Sequence, residues 1–141
     1  MTPRGIRNHN PLNIRRTAKD QWKGLAEAQT DRAFCQFKSL EYGWRAAFYL
    51  LTRTYYHKYR LYTIRTIIRR WAPSSENNTE AYIANVSRLT SIAPDEPLGI
   101  PSDQPARWMM LGAAMAIQEN GTQSLDYFAM LRGWEMARSE T

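Results

Sequence analysis

Hydrophobic positions along this chain follow two regimes, and the change between them falls near Ser39. From there Leu40, Trp44, Ala47, Phe48 and Leu51 recur at three- and four-residue steps, with Tyr55 continuing the row, which is the spacing of one helix face. Ser39 stands at the N-cap, where its hydroxyl accepts from a backbone N–H of the first turn. A second row, Ile64, Ile67, Ile68 and Trp71, predicts a helix that opens at Thr63 and is stopped by Pro73. Tyr82, Ile83, Val86 and Leu89 predict a third, capped by Asn77 or Asn78. Pro105, preceded by Asp103 and Gln104, suits the first turn of a fourth. Within it, apolar residues from Trp108 to Ile117 occupy every face, the pattern of a helix buried on all sides. A last amphipathic helix runs from Leu125 to about Ala137, setting Leu125, Phe128, Ala129, Leu131 and Met136 against Asp126, Arg132 and Glu135.

Before Ser39 the periodicity is weak and turn formers collect: Gly5, Asn8, Asn10, Pro11, Asn13, Asp20, Gly24 and Asp31. The proline ring disfavours helix at Asn10, so this segment reads as ordered loop. Leu12 to Arg15 and Ala33 to Phe37 are its candidate strands. The stretch SIAPDEPLGIPSDQP, with four prolines, is a surface connector. Together these elements predict an all-α fold of five or six helices with a minor β element, formed as one domain over residues 1–141.

Composition narrows the function classes. The 141 residues, 43% of them hydrophobic, suffice for one sizeable core. A single cysteine, Cys35, excludes an internal disulfide framework and any Cys-x-x-Cys zinc site, and neither metal nor cofactor is implied. The N-terminus lacks a signal-peptide apolar run and no span is long enough for a bilayer, which predicts synthesis in the cytoplasm without membrane insertion. The net charge of +6 suits nucleic acid or an anionic polymer such as cell wall. Phosphate-loop, dinucleotide and zinc-protease motifs are absent, and nothing around Cys35 resembles a cysteine peptidase.

The candidate chemistry centres on Glu119. A carboxylate at the C-terminal end of an apolar helix is poorly hydrated and meets the negative end of the helix dipole, and both effects disfavour ionisation. A carboxylic acid kept protonated is what cleavage of a glycosidic bond requires; the alternative is an acid that frays into solvent before Gly121. Glu76, between Pro73 and Asn77-Asn78-Thr79, is the second acid, and its place near a helix N-terminus favours the anion. Asp31 and Glu41 are further carboxylates with capping or solvated roles open to them. Asn10, Asn13, Arg15 and Trp22 lie in one loop, where amides and guanidinium groups beside an indole suit sugar and phosphate alike. The tyrosines from Tyr55 to Tyr62, interleaved with Arg53, Lys58, Arg60 and Arg65, permit the same two ligands or a basic surface over buried rings.

The ordered set GIRNHNPLNIRR, Trp22 and Gly24, Asp31-x-x-Phe34-x-x-Phe37, Tyr42-Gly43-Trp44-Arg45-Ala46, IIRRWAPSSENNTEAY and AIQENG resembles a family of small proteins of bacteriophages and prophages, known mainly as phage structural proteins. A looser similarity links the Asn-Pro-x-Asn-Ile-Arg opening to the substrate-loop region of lysozyme-like glucosaminidases and lytic transglycosylases. Their acid helix precedes that region, whereas here the comparable helix, ending at Glu119, comes last. The similarity therefore implies a circularly permuted lysozyme-like domain that cleaves peptidoglycan glycan strands at the cell wall or from the virion. Glu119 or Glu76 is then the acid, and Asn10, Asn13, Arg15, Trp22, Asp31, Trp71, Asn77 and Asn120 contact substrate. The resemblance to phage structural proteins implies instead a non-catalytic component that meets other virion proteins or nucleic acid. Circular dichroism should report predominantly helix with slight strand, and a sheet-dominated spectrum would overturn this architecture.

Overall fold

In a computed structural model of the chain, residues 2–74, 78–122 and 124–139 are described. Six α-helices are formed among them: α1 (Arg4–Arg7), α2 (Leu40–Tyr49), α3 (Ile64–Trp71), α4 (Thr79–Thr90), α5 (Pro105–Asn120) and α6 (Tyr127–Ser139). Backbone contacts divide the chain into two compact units, Met1–Tyr49 with Glu119–Thr141, and Leu50–Gln118. Among the described residues no helix is long and apolar enough to cross a membrane.

In the first unit, the N-terminal loop is built around buried Leu12, Ile14, Cys35 and Phe37. The two candidate strands do meet, since Cys35 N–H donates to Ile14 O at 2.9 Å and Arg16 N–H to Ala33 O at 2.8 Å. Their pairing stops at one isolated bridge, Arg15 with Phe34, and a second bridge joins Phe37 to Leu25 outside the first candidate strand. Asn13 breaks the first candidate strand, because its φ of 52° is left-handed and interrupts the extended backbone. The alternation still holds: Leu12 and Ile14 point inward while Arg15 is exposed.

Helix α2 packs along α6. Trp44 stacks on Phe48 with ring centroids 5.3 Å apart, and Phe48 meets Trp134 edge-on at 5.1 Å. Gly133 sets how closely the two helices approach. A Cβ there would overlap Trp44 Cβ and lie 2.9 Å from both Arg45 N and Glu41 O.

The second unit opens with a departure from the sequence reading. Leu50–Lys58 is π-helical rather than α-helical, so its side-chain rows depart from the three- and four-residue spacing of the sequence. Tyr59 N–H donates five residues back, to Thr54 O, at 2.9 Å. Leu51 and Tyr55 stay buried all the same. Thr63 caps α3 through a reciprocal box with Thr66, an arrangement that contributes about 1 kcal/mol of helix stability. Ile64, Ile67 and Ile68 of α3 and Tyr82, Ile83 and Val86 of α4 are buried where these helices pack. Asn78 caps α4, its side chain accepting from Ala81 N–H at 3.1 Å. Helix α5 corrects one expectation: it is not covered on all sides, because Met110 is 42% exposed while Trp108, Leu111 and Met115 are fully buried. Small residues let one side of an apolar helix reach solvent cheaply, since Ala106 and Ala113 expose little apolar area.

Gly133→Ala gains helix propensity of about 1 kcal/mol. The added methyl collides with backbone atoms of α2, which cannot rotate away, so overpacking of about 1–3 kcal/mol wins. Urea unfolding should show a lower midpoint for Gly133→Ala than for the parent; an equal or higher midpoint would mean that α2 and α6 do not pack as described.

Candidate functional site

The first unit brings the two ends of the chain together at Glu119. Asn13 Nδ2 donates to Glu119 Oε1 at 3.0 Å, across 106 positions of sequence. One residue on, Asn120 Nδ2 donates to Pro11 O at 2.8 Å. The left-handed backbone of Asn13 turns its amide toward the end of α5, and Asn adopts that conformation more readily than most residues. Gly5 makes room for the arrangement, for a Cβ there would overlap Asn120 Oδ1 and lie 2.8 Å from Asn10 O and 2.9 Å from Asn13 Oδ1. Glu119 and Asn120 are both half-buried. An acid presented in this way has an oriented carboxyl group beside a polar loop, which is the minimum that proton transfer to a bound molecule requires.

The other loop residues hold the loop in shape. Asn10 is fully buried, and its Nδ2 donates to Ile14 O at 3.0 Å and Cys35 O at 2.9 Å while its Oδ1 accepts from Ile14 N–H at 2.9 Å. Asp31 is a hub for a second set of bonds. Its carboxylate takes Arg4 through two nitrogens at 2.6 and 2.7 Å, Asn8 Nδ2 at 2.9 Å, and the N–H groups of Ala33 and Phe34 at 2.9 and 3.0 Å. The Arg4 guanidinium above all, and then Asn8 and the two backbone groups, hold the Asp31 carboxyl far below the usual carboxylate range, outweighing its desolvation. Arg4 also lies over the Phe34 ring at 4.6 Å, and Arg15 at 5.3 Å. Trp22 is half-buried against Tyr49, centroids 6.0 Å apart and nearly perpendicular. Cys35 is fully buried, and burial pushes its thiol up to about 12, helped by Asp20 Oδ2 at 3.4 Å. A thiol so protonated is no nucleophile.

Of the residues singled out in the sequence, Asn10, Asn13, Arg15, Trp22, Asp31, Glu119 and Asn120 lie in the first unit, and Trp71 lies in the second, half-buried at the end of α3 with its ring 6.1 Å from Tyr55. Glu76 and Asn77 lie outside the described residues. Arg4 and Gly5 were missed. Neither has a local signal: the partner of Arg4 is 27 positions away, and the need for glycine arises only when the loop folds Asn10 and Asn13 back over Gly5 and Asn120 arrives beside it.

The second unit holds a different chemistry. Arg70 lies 3.8 Å above the Tyr59 ring and 5.9 Å from that of Tyr55, and Lys58 lies 5.7 Å from Tyr59. Arg65, in contrast, is tied to Asp95 at 2.8 Å and Glu80 at 3.1 Å, and Arg107 to Glu96 at 2.7 Å.

Fold and site together describe a mainly helical protein in which an Asn-Pro-x-Asn loop holds a glutamate at the end of an apolar helix. The chain belongs to the family of Protein P5 of Pseudoalteromonas phage PM2: it is 40% identical to that protein over 134 residues, 94% of this chain and 80% of the relative. No family model matches the chain.

A group whose folded pKa is depressed adds stability that is present above its ordinary pKa and lost as pH falls toward the folded value. For Asp31 the loss should therefore begin below about pH 4, the range of a free Asp. Thermal melts from pH 7 down to pH 2 should show Asp31→Asn less stable than the parent at neutral pH by more than about 1.5 kcal/mol, the scale of one charge-assisted hydrogen bond. The gap should close as the pH falls; a gap independent of pH would mean that the Asp31 charge does not hold the loop.

Proposed function

We propose that this chain is a component of a phage particle, the reading that its membership of the Protein P5 family supports best. In this role the loop anchored by Asn10 and Asp31 gives a basic helical protein a fixed surface for other virion proteins. Mass spectrometry of particles purified from a host carrying the gene tests it. The protein should be present in a fixed ratio to the other proteins of the particle, and its absence from intact particles would overturn the reading.

A second reading is favoured by the hydrogen bond from Asn13 to Glu119. It makes the protein a peptidoglycan-cleaving glycosidase or lytic transglycosylase with a permuted lysozyme-like fold over residues 1–141, carried by the particle or released at the cell wall. Glu119 then protonates the leaving glycosidic oxygen, with its carboxyl held in register by the Asn13 amide. Arg15, Trp22 and Asn120 are its candidate contacts for glycan, on a loop that buried Asn10 and Asp31 hold in shape; Glu76 is the alternative acid, with Trp71 and Asn77 as its candidate contacts.

Zymography on purified cell wall separates a silent component from an enzyme. On the glycosidase reading the parent clears the wall, and Glu119→Gln, which keeps the shape and removes the proton, loses at least roughly 100-fold of that activity with its melting temperature kept. No clearing by the folded parent leaves the protein a non-catalytic component. Clearing retained by Glu119→Gln but lost in Glu76→Gln moves the acid to the segment before α4.

A further inference from the structure

Six cations of the second unit, Lys58, Arg60, Arg65, Arg69, Arg70 and Arg107, fall into two kinds. Arg65 and Arg107 are neutralised by carboxylates, and Arg69 has Glu80 Oε2 at 3.8 Å. Lys58, Arg60 and Arg70 are exposed, and among the described residues none of the three has a carboxylate within ion-pair distance. Two of them are positioned by rings instead: Arg70 over Tyr59 at 3.8 Å, and Lys58 at 5.7 Å from the same ring. An aromatic partner orients a cation without cancelling its charge, so the positive field still faces outward. Arg60 sits at a φ of 56°, a conformation that costs a bulky residue free energy, yet the position is held by a cation.

Next to these charges stands Tyr62, 44% exposed and propped edge-on by Tyr56 with centroids 5.2 Å apart. Tyr59 is 37% exposed, but one face of its ring is covered by Arg70. The Tyr62 ring is therefore the one presented to a ligand. Over residues 58–62 cations and rings alternate, as Lys58, Tyr59, Arg60 and Tyr62, and the intervening Leu61 is half-buried. A bilayer surface would ask for exposed aliphatic side chains, and this stretch offers none. Phosphates at regular spacing with unstacked bases between them match it instead.

We propose that the surface formed by Lys58, Arg60, Tyr62 and Arg70 binds single-stranded nucleic acid, the three cations contacting phosphates and Tyr62 stacking a base. The surface does not depend on Glu119, and it stands whether or not the protein cleaves cell wall. Each phosphate contact contributes about −0.7 to the slope of log affinity against log salt for a single strand, so three give a slope of about −2 and a loss of about 15-fold between about 50 and 200 mM salt.

Fluorescence anisotropy of the full chain with a labelled oligonucleotide, and with its duplex, tests this. The variant combining Lys58→Gln, Arg60→Asn and Arg70→Gln should bind the strand at least about tenfold more weakly at low salt and lose most of the slope. Arg60→Asn suits the left-handed backbone, and Lys58→Gln alone, at an exposed position, gives a smaller loss in the same direction if the triple variant does not fold. Tyr62→Leu should weaken strand binding about fivefold or more with the slope unchanged and leave the duplex unaffected. Arg132→Gln on α6 is the charge control and should bind as the parent does. Equal binding by the cation variants, an equal effect of Arg132→Gln, indifference to Tyr62→Leu, or binding only to vesicles of phosphatidylglycerol would each overturn the proposal.

Discussion

The side-chain amide of Asn10 is the contact on which the first unit turns. It lies in a fully buried position, where its Nδ2 donates to the backbone carbonyls of Ile14 and Cys35 and its Oδ1 accepts from Ile14 N–H. Backbone groups this deep cost about 1–3 kcal/mol each when left without a partner, so a loop with only two isolated bridges needs such a residue to replace a sheet. Asn10 fixes the turn through Ile14, and within that turn the left-handed Asn13 donates its amide to Glu119. The carboxylate thus takes its orientation from a loop at the other end of the chain.

Two ways of holding an arginine divide the molecule. Arg4 is locked by Asp31, and the pair fastens the start of the chain to the loop before Cys35; its charge is matched by that of a buried carboxylate. Arg70 is held by Tyr59 and Tyr55, which fix the guanidinium and leave its charge facing solvent. Net charge alone does not separate these cases. A formal +6 is the sum of cations that are used structurally and cations that remain available, and only the second kind produces a field that a partner feels.

Kinship with Protein P5 of phage PM2 covers nearly the whole chain. A particle component and a cell-wall enzyme are not exclusive chemistries for such a scaffold, since a fold carries function only through the groups set on it. Glu119 with Asn13 lies in one unit of the chain, and the ring-backed cations lie in the other.

The helices were legible in the sequence because their determinants are local. Ile64, Ile67 and Ile68 mark a buried face by spacing alone, Thr63 and Asn78 cap through bonds within one turn, and Pro105 opens α5 at its first position. The all-α class followed from the same kind of reasoning. Short range also explains the failures: period and propensity do not report that Asn13 is left-handed in the middle of a candidate strand, that Leu50–Lys58 is wound as a π-helix, or that Met110 is left at the surface. Glu119 stood out by its position after an apolar run, but its partner did not, nor did the bond between Arg4 and Asp31, because both join residues far apart in the chain. Helix and cap are decided by neighbours within about four residues, which the sequence determines directly; which amide faces which acid, and which cation keeps its charge free, is decided only when distant segments pack and desolvate one another.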